Sequence, residues 1–127
     1  MIIADTGVLI DFLAGTEPGA SRVGLEMERG ELRTTTVTRF GLLSEARSTG
    51  QLAAIRRFLE ALPPLPLDSA SADRAADVRR ALEKDGHGIG MGDSLIAGIV
   101  LAANGVLLTR NRRHFERVEG LRLGDVA

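Results

Sequence analysis

Three short stretches of this chain carry polar residues where metal-assisted hydrolysis would need them. Asp5 closes the apolar run Met1-Ile2-Ile3-Ala4. Asp93 follows a glycine-rich stretch and opens a long apolar run. Thr109-Arg110-Asn111 follows Val106-Leu107-Leu108. Each acid taken alone reads equally as an N-cap, worth ~0.5–2 kcal/mol. Two carboxylates that converge repel each other unless a cation lies between them. Oxygen-only donors favour Mg²⁺ or Mn²⁺ over zinc. Glu45, with Ser44 beside it, is a candidate further acid or a solvated helix residue. Asn111 offers an amide oxygen, or is a turn residue. Arg110, Arg112, Arg113, His114 and Arg117 form the densest basic run of the chain. Such a run either holds a phosphate backbone or is a solvated surface stretch.

Other chemistries are excluded or unsupported. There is no cysteine, which removes thiol nucleophiles, disulfides, Cys-ligated zinc and iron–sulfur clusters. His87 and His114 lack metal-ligand spacing, and nothing in the sequence brings them to Lys84, the only lysine, for metal-free acid–base cleavage. Gly86, Gly88, Gly90 and Gly92 alternate, but they follow a helical segment and do not spell a dinucleotide fingerprint. A phosphoacceptor receiver domain needs paired acids after its first strand and a lysine after its last. Here Asp5 stands alone and Lys84 falls in a helical segment. With no Trp or Tyr and 4 Phe, base reading by stacking is poorly supplied.

These residues must be positioned by a small fold. At 127 residues the chain makes a single domain, residues 1–127. Apolar runs predict strands at Met1–Ala4, Leu32–Val37, Leu65–Leu67, Val106–Leu108 and Leu121–Leu123. Helical spacing predicts helices at Thr6–Ala14, Ser21–Arg29, Thr38–Ser48, Gln51–Leu62, Ala70–Lys84 and Asp93–Asn104. Strands alternating with helices make an α/β fold, a three-layer α/β/α sandwich around a parallel sheet of four or five strands. Active sites in such sheets lie at the carboxyl ends of the strands, where Asp5 and Thr109 fall. No segment reaches the ~18–20 apolar residues of a membrane span, and the N-terminus has no basic leader, so a cytoplasmic location is expected. Lys+Arg 16 against Asp+Glu 17 gives a net charge of -1. That sum is compatible with two opposed patches, an acidic site beside a basic corner.

Ile3-Ala4-Asp5-Thr6-Gly7-Val8-Leu9-Ile10-Asp11, Gly92-Asp93-Ser94-Leu95-Ile96-Ala97 and Leu108-Thr109-Arg110-Asn111-Arg112-Arg113-His114-Phe115 resemble, in this order, the conserved stretches of the PIN domain. Within that family the likeness is to toxin nucleases of the VapC type, and it covers essentially the whole chain. The resemblance implies a ribonuclease dependent on Mg²⁺ (or Mn²⁺), a homodimer and a small cognate antitoxin. It implies Asp5 and Asp93 as metal ligands, Glu45 and Asn111 as further catalytic residues, and Thr109, Arg110, Arg112 and Arg113 against the RNA. One departure stands out. The family pattern places a glutamate before a Leu-Leu pair, and here Gly41 precedes Leu42-Leu43. Glu45 lies one helical turn on, where it either replaces the missing acid or leaves a weakened domain that binds RNA or protein without cleaving.

Overall fold

The computed structural model describes residues 1–127. Five strands form one sheet: β1 (Ile2–Ala4), β2 (Leu32–Thr35), β3 (Pro64–Leu65), β4 (Val106–Leu108) and β5 (Arg122–Gly124). Their order is β3-β2-β1-β4-β5, and every pairing is parallel. Seven helices connect them: α1 (Thr6–Ala14), α2 (Gly19–Glu28), α3 (Thr36–Ser44), α4 (Thr49–Glu60), α5 (Ser69–Lys84), α6 (Met91–Ala103) and α7 (Arg112–Phe115).

The strands are short, and the three central ones, β2, β1 and β4, are largely buried, so successive side chains feed two cores. Ile3 and Leu107 point into a core shared with Val78 and Leu82 of α5, Ile96, Ala97 and Val100 of α6, and Phe115. Ala4, Leu108 and Leu32 point the other way, onto Val8, Leu9, Val23, Leu42 and Leu59 of α1 to α4. That alternation is what makes the three layers, and it matches the architecture expected from the sequence. The α5–α6 layer is held at very close range. A methyl group at Gly98 would sit 2.5 Å from the Ser71 carbonyl oxygen and 2.6 Å from the Ala75 Cβ.

Several boundaries differ from the sequence expectation, and capping explains them. The Thr-rich run predicts strand to Val37, but the chain leaves the sheet at Thr35. The Thr35 hydroxyl accepts from the Thr38 amide at 3.0 Å and starts α3 there. Ser48 caps α4 in the same way, so that helix begins at Thr49 and α3 ends before it, at Ser44. The short helix α7 was absent from the sequence reading, because four residues are too few to show a period.

Candidate active site

The sheet order reverses between β1 and β4: from β1 the chain passes to β2 on one side, and β4 lies on the other. Crevices at such points open beyond the carboxyl ends of the strands. Ala4 pairs with Leu108, so the next residues, Asp5 and Thr109, stand side by side. The Asp5 amide donates to the Leu108 carbonyl at 3.1 Å. Helix α6 runs into β4, which brings its N-terminal turn and Asp93 to the same edge.

Asp5 is both cap and site residue. Its Oδ1 accepts from the Val8 amide at 3.2 Å and so caps α1. Its Oδ2 accepts from the Thr109 hydroxyl at 2.5 Å. The side chain is buried, and burial pushes its pKa above the ordinary value of 3.8. The Thr109 and Val8 hydrogen bonds oppose that rise; the Asp93 charge adds to it, and Arg110 opposes it. Asp93 caps nothing. Gly90 is the cap residue of α6, and Asp93 lies inside the first turn, where the helix dipole favours an anion. Its Oδ2 lies 2.7 Å from Nδ1 of His114 on α7.

The remaining sequence candidates separate. Thr109 is fully buried, and its hydroxyl donates to Asp5 and accepts the Asn111 amide at 3.0 Å. Thr109 thus lies behind the Asp5 carboxylate, its hydroxyl held by one of that group's oxygens. Arg110 is paired with Asp11 at 2.7 Å, its guanidinium lying over Gly7 at the start of α1. Arg112 donates to the Gly124 carbonyl at 3.1 Å, bracing β5. Arg113 is exposed on α7, and Asn111 is exposed with no side-chain bond to the helix it precedes.

Glu45 ends α3, its amide bonded to the Gly41 carbonyl at 3.3 Å, so the two positions are one turn apart on one face. Both line an open cleft of ≈ 580 Å³ with Thr6 and Asp93, and the exposed Phe40 and Met91 stand at its rim. A Cβ at Gly41 would meet the Thr6 side chain at ordinary contact distance, 3.6 Å, so this position faces the site without an acid.

His114 against Asp93 and Arg110 against Asp11 were not found by sequence reasoning. The pairs are 21 and 99 residues apart, and only the fold joins them. The basic run from Arg110 to Arg117, which holds both Arg110 and His114, was the one available signal.

No three Asp, Glu or His side chains are gathered tightly enough to hold an ion by themselves. The Asp93 charge makes Asp5 harder to ionise, and such a pair of carboxylates, with water completing the shell, suits a hard divalent cation. Mg²⁺ commonly binds through one or two carboxylates plus substrate phosphate.

The PIN domain model matches residues 2–121. The chain is 30% identical over 125 residues to the tRNA(fMet)-specific endonuclease VapC of Shigella flexneri, covering 95% of this chain and 94% of that protein. It is 30% identical over 122 residues to Ribonuclease VapC10 of Mycobacterium tuberculosis, covering 96% and 91%. Among solved structures, VapBC of Salmonella typhimurium bound to DNA superposes with a TM-score of 0.83 at 24% identity, covering 99% of this chain and 98% of that one. With the family model spanning residues 2–121 and relatives 30% identical over nearly the whole chain, this chain belongs to the PIN-domain family.

Proposed function

We propose that the protein is a divalent-metal-dependent ribonuclease, acting as the toxin of a toxin–antitoxin pair. The observation that carries this reading is the PIN-domain match over residues 2–121 with relatives named as VapC ribonucleases, supported by Asp5 standing at the switch point of the sheet within reach of the Asp93 charge. A bound Mg²⁺ (or Mn²⁺) would lower the pKa of a water and relieve charge on the phosphate oxygens. Asp5 and Asp93 would hold it. Thr109 keeps the Asp5 carboxylate turned toward the crevice, and His114 does the same for Asp93. Glu45 supplies the acid missing at Gly41 and takes a proton from the attacking water, alone or through a second water. Asn111 offers a neutral oxygen at the mouth of the site. Water adds to phosphorus, and the bond to one bridging oxygen breaks.

The partner follows from similar solved structures, among them VapBC of Salmonella typhimurium and a toxin–antitoxin complex from Klebsiella pneumoniae. A cognate antitoxin has apolar surface to use on the first two helices, where Ile10, Leu13 and Leu25 are exposed, while Leu9 is fully buried in the core. The acidic crevice would accept a basic side chain from it. A homodimer and a single functional unit spanning 1–127 complete the proposal. No helix is long and apolar enough to cross a membrane, consistent with action on RNA in the cytoplasm.

The test is to incubate the protein with total RNA and map fragment ends. Discrete cleavage sites that require Mg²⁺ or Mn²⁺ are expected. Intact RNA at every metal concentration would favour the second reading, a domain weakened by the glycine at 41 that binds without cutting.

A further inference from the structure

The glycine-rich turn between α5 and α6 and its His87 take no part in the reaction above. The turn is nonetheless well fixed. Gly86 adopts φ +76°, its amide donates to the Glu83 carbonyl at 3.1 Å, and the His87 amide donates to the Leu82 carbonyl at 2.8 Å. This is a Schellman motif closing α5, and it sets where His87 leaves the helix. His87 there forms one wall of a cleft of ≈ 390 Å³, with Arg113, His114 and Arg117 around it and Ile89 as its single apolar side chain. No ion pair of the chain uses Arg113 or Arg117, and neither donates a side-chain hydrogen bond. Glu116, the only acid at the cleft, is likewise unpaired. Two unpaired guanidiniums line this one small cleft, and an anion held there would balance their charge. Arginine forks match phosphate oxygens in particular. His114 is also the residue whose Nδ1 lies 2.7 Å from Asp93. The cleft therefore starts where the acidic site ends.

We propose that the cleft formed by His87, Arg113 and Arg117 is a phosphate subsite, holding a backbone phosphate of the RNA strand next to the one at Asp5 and Asp93. This rests on the ribonuclease reading for its ligand. Arg113 and Arg117 take the phosphate oxygens, and His87 closes the side formed by the glycine-rich turn. The subsite sets the direction in which the strand crosses the sheet edge, and it reads backbone rather than base.

The test is fluorescence anisotropy with a fluorescein-labelled 20-nucleotide single-stranded RNA of mixed sequence, in EDTA so that nothing is cut. Wild type is compared with Arg113→Ala/Arg117→Ala, with His87→Ala and with the charge-matched Arg56→Ala/Arg57→Ala on α4. All of these side chains are exposed, so melting temperatures should stay close to wild type. The cleft double variant is expected to bind about tenfold more weakly, with the slope of log K against log salt shallower by ~0.7 for one released phosphate. His87→Ala should bind about threefold more weakly, and the α4 control should match wild type. Unchanged binding by the cleft double variant, or an equal loss in the control, overturns the subsite. Adding Mg²⁺ separates the two readings. Weaker binding by the cleft double variant, together with cleavage of the RNA by wild type, supports both. Binding through the cleft by a wild type that never cuts RNA keeps the subsite and overturns the ribonuclease reading.

Discussion

Asp5 shows how one side chain meets two demands. One oxygen caps α1 and the other is held by Thr109, while burial and the Asp93 charge disfavour its ionised form. Its pKa in the folded chain lies above 3.8, so the unfolded chain releases this proton first as pH rises. In metal-free buffer, stability is therefore lost as pH climbs from that value through the folded pKa. Asp5→Asn removes this dependence. In thermal melts it is expected to be more stable than wild type near neutral pH, with the gap closing on acidification. Added Mg²⁺ should raise the melting temperature of wild type alone. A gap independent of pH would contradict the assignment. The acid set is tested at Gly41 and Glu45. Glu45→Gln should slow cleavage on the order of 10- to 100-fold. Gly41→Glu fits the space beside Thr6 and should restore rate to Glu45→Gln. Full activity of Glu45→Gln, with a gain from Gly41→Glu alone, would remove Glu45 from the site. Asp5 and Asp93 were legible in the sequence because each follows or opens an apolar run. Thr109 is legible as a supporting hydrogen-bond donor from its place after β4, but the pairing of His114 with Asp93 is not, because a contact across 21 residues leaves no local trace.

At the level of elements, α1 and β4 were read at their observed bounds, because a sharp change from apolar to polar residues marks both ends. The Thr-rich stretch was not. β-Branched residues favour strand, yet a threonine hydroxyl at a helix start wins locally, and β2 is shorter than its composition suggests. The seating of α6 on α5 was also hidden, since a glycine inside a helical segment does not announce a close crossing. It matters for function, because α6 carries Asp93 and α5 leads to the turn of His87. Gly98→Ala places a methyl 2.5 Å from a backbone oxygen, so the helices must separate. The expected cost is ~1–3 kcal/mol, read as a melting temperature several degrees lower, with RNA cleavage falling alongside as Asp93 shifts. An unchanged melting temperature would show that the crossing is slack.

For the whole molecule, a net charge of -1 hides an arrangement of opposite patches. Acids gather at the sheet's switch point, and arginines gather on the α7 side of it. The basic corner is itself divided. Arg110 and Arg112 brace α1 and β5, and Arg113 and Arg117 remain free to meet an anion. The layered architecture was legible because alternating strand and helix patterns allow few topologies. The division of the corner was not, because identical arginines differ only in what the fold places opposite them. On the proposed reading, Asp5 and Asp93 act together on RNA through one divalent cation. It is tested most directly by the rate of RNA cleavage across a Mg²⁺ titration that begins in EDTA, for wild type, Asp5→Asn and Asp93→Asn. Wild type should rise from no cleavage in EDTA to a plateau in roughly the millimolar range, with each variant on the order of 10²–10³-fold slower throughout. Cleavage in EDTA, or wild-type rates from either variant, would contradict it.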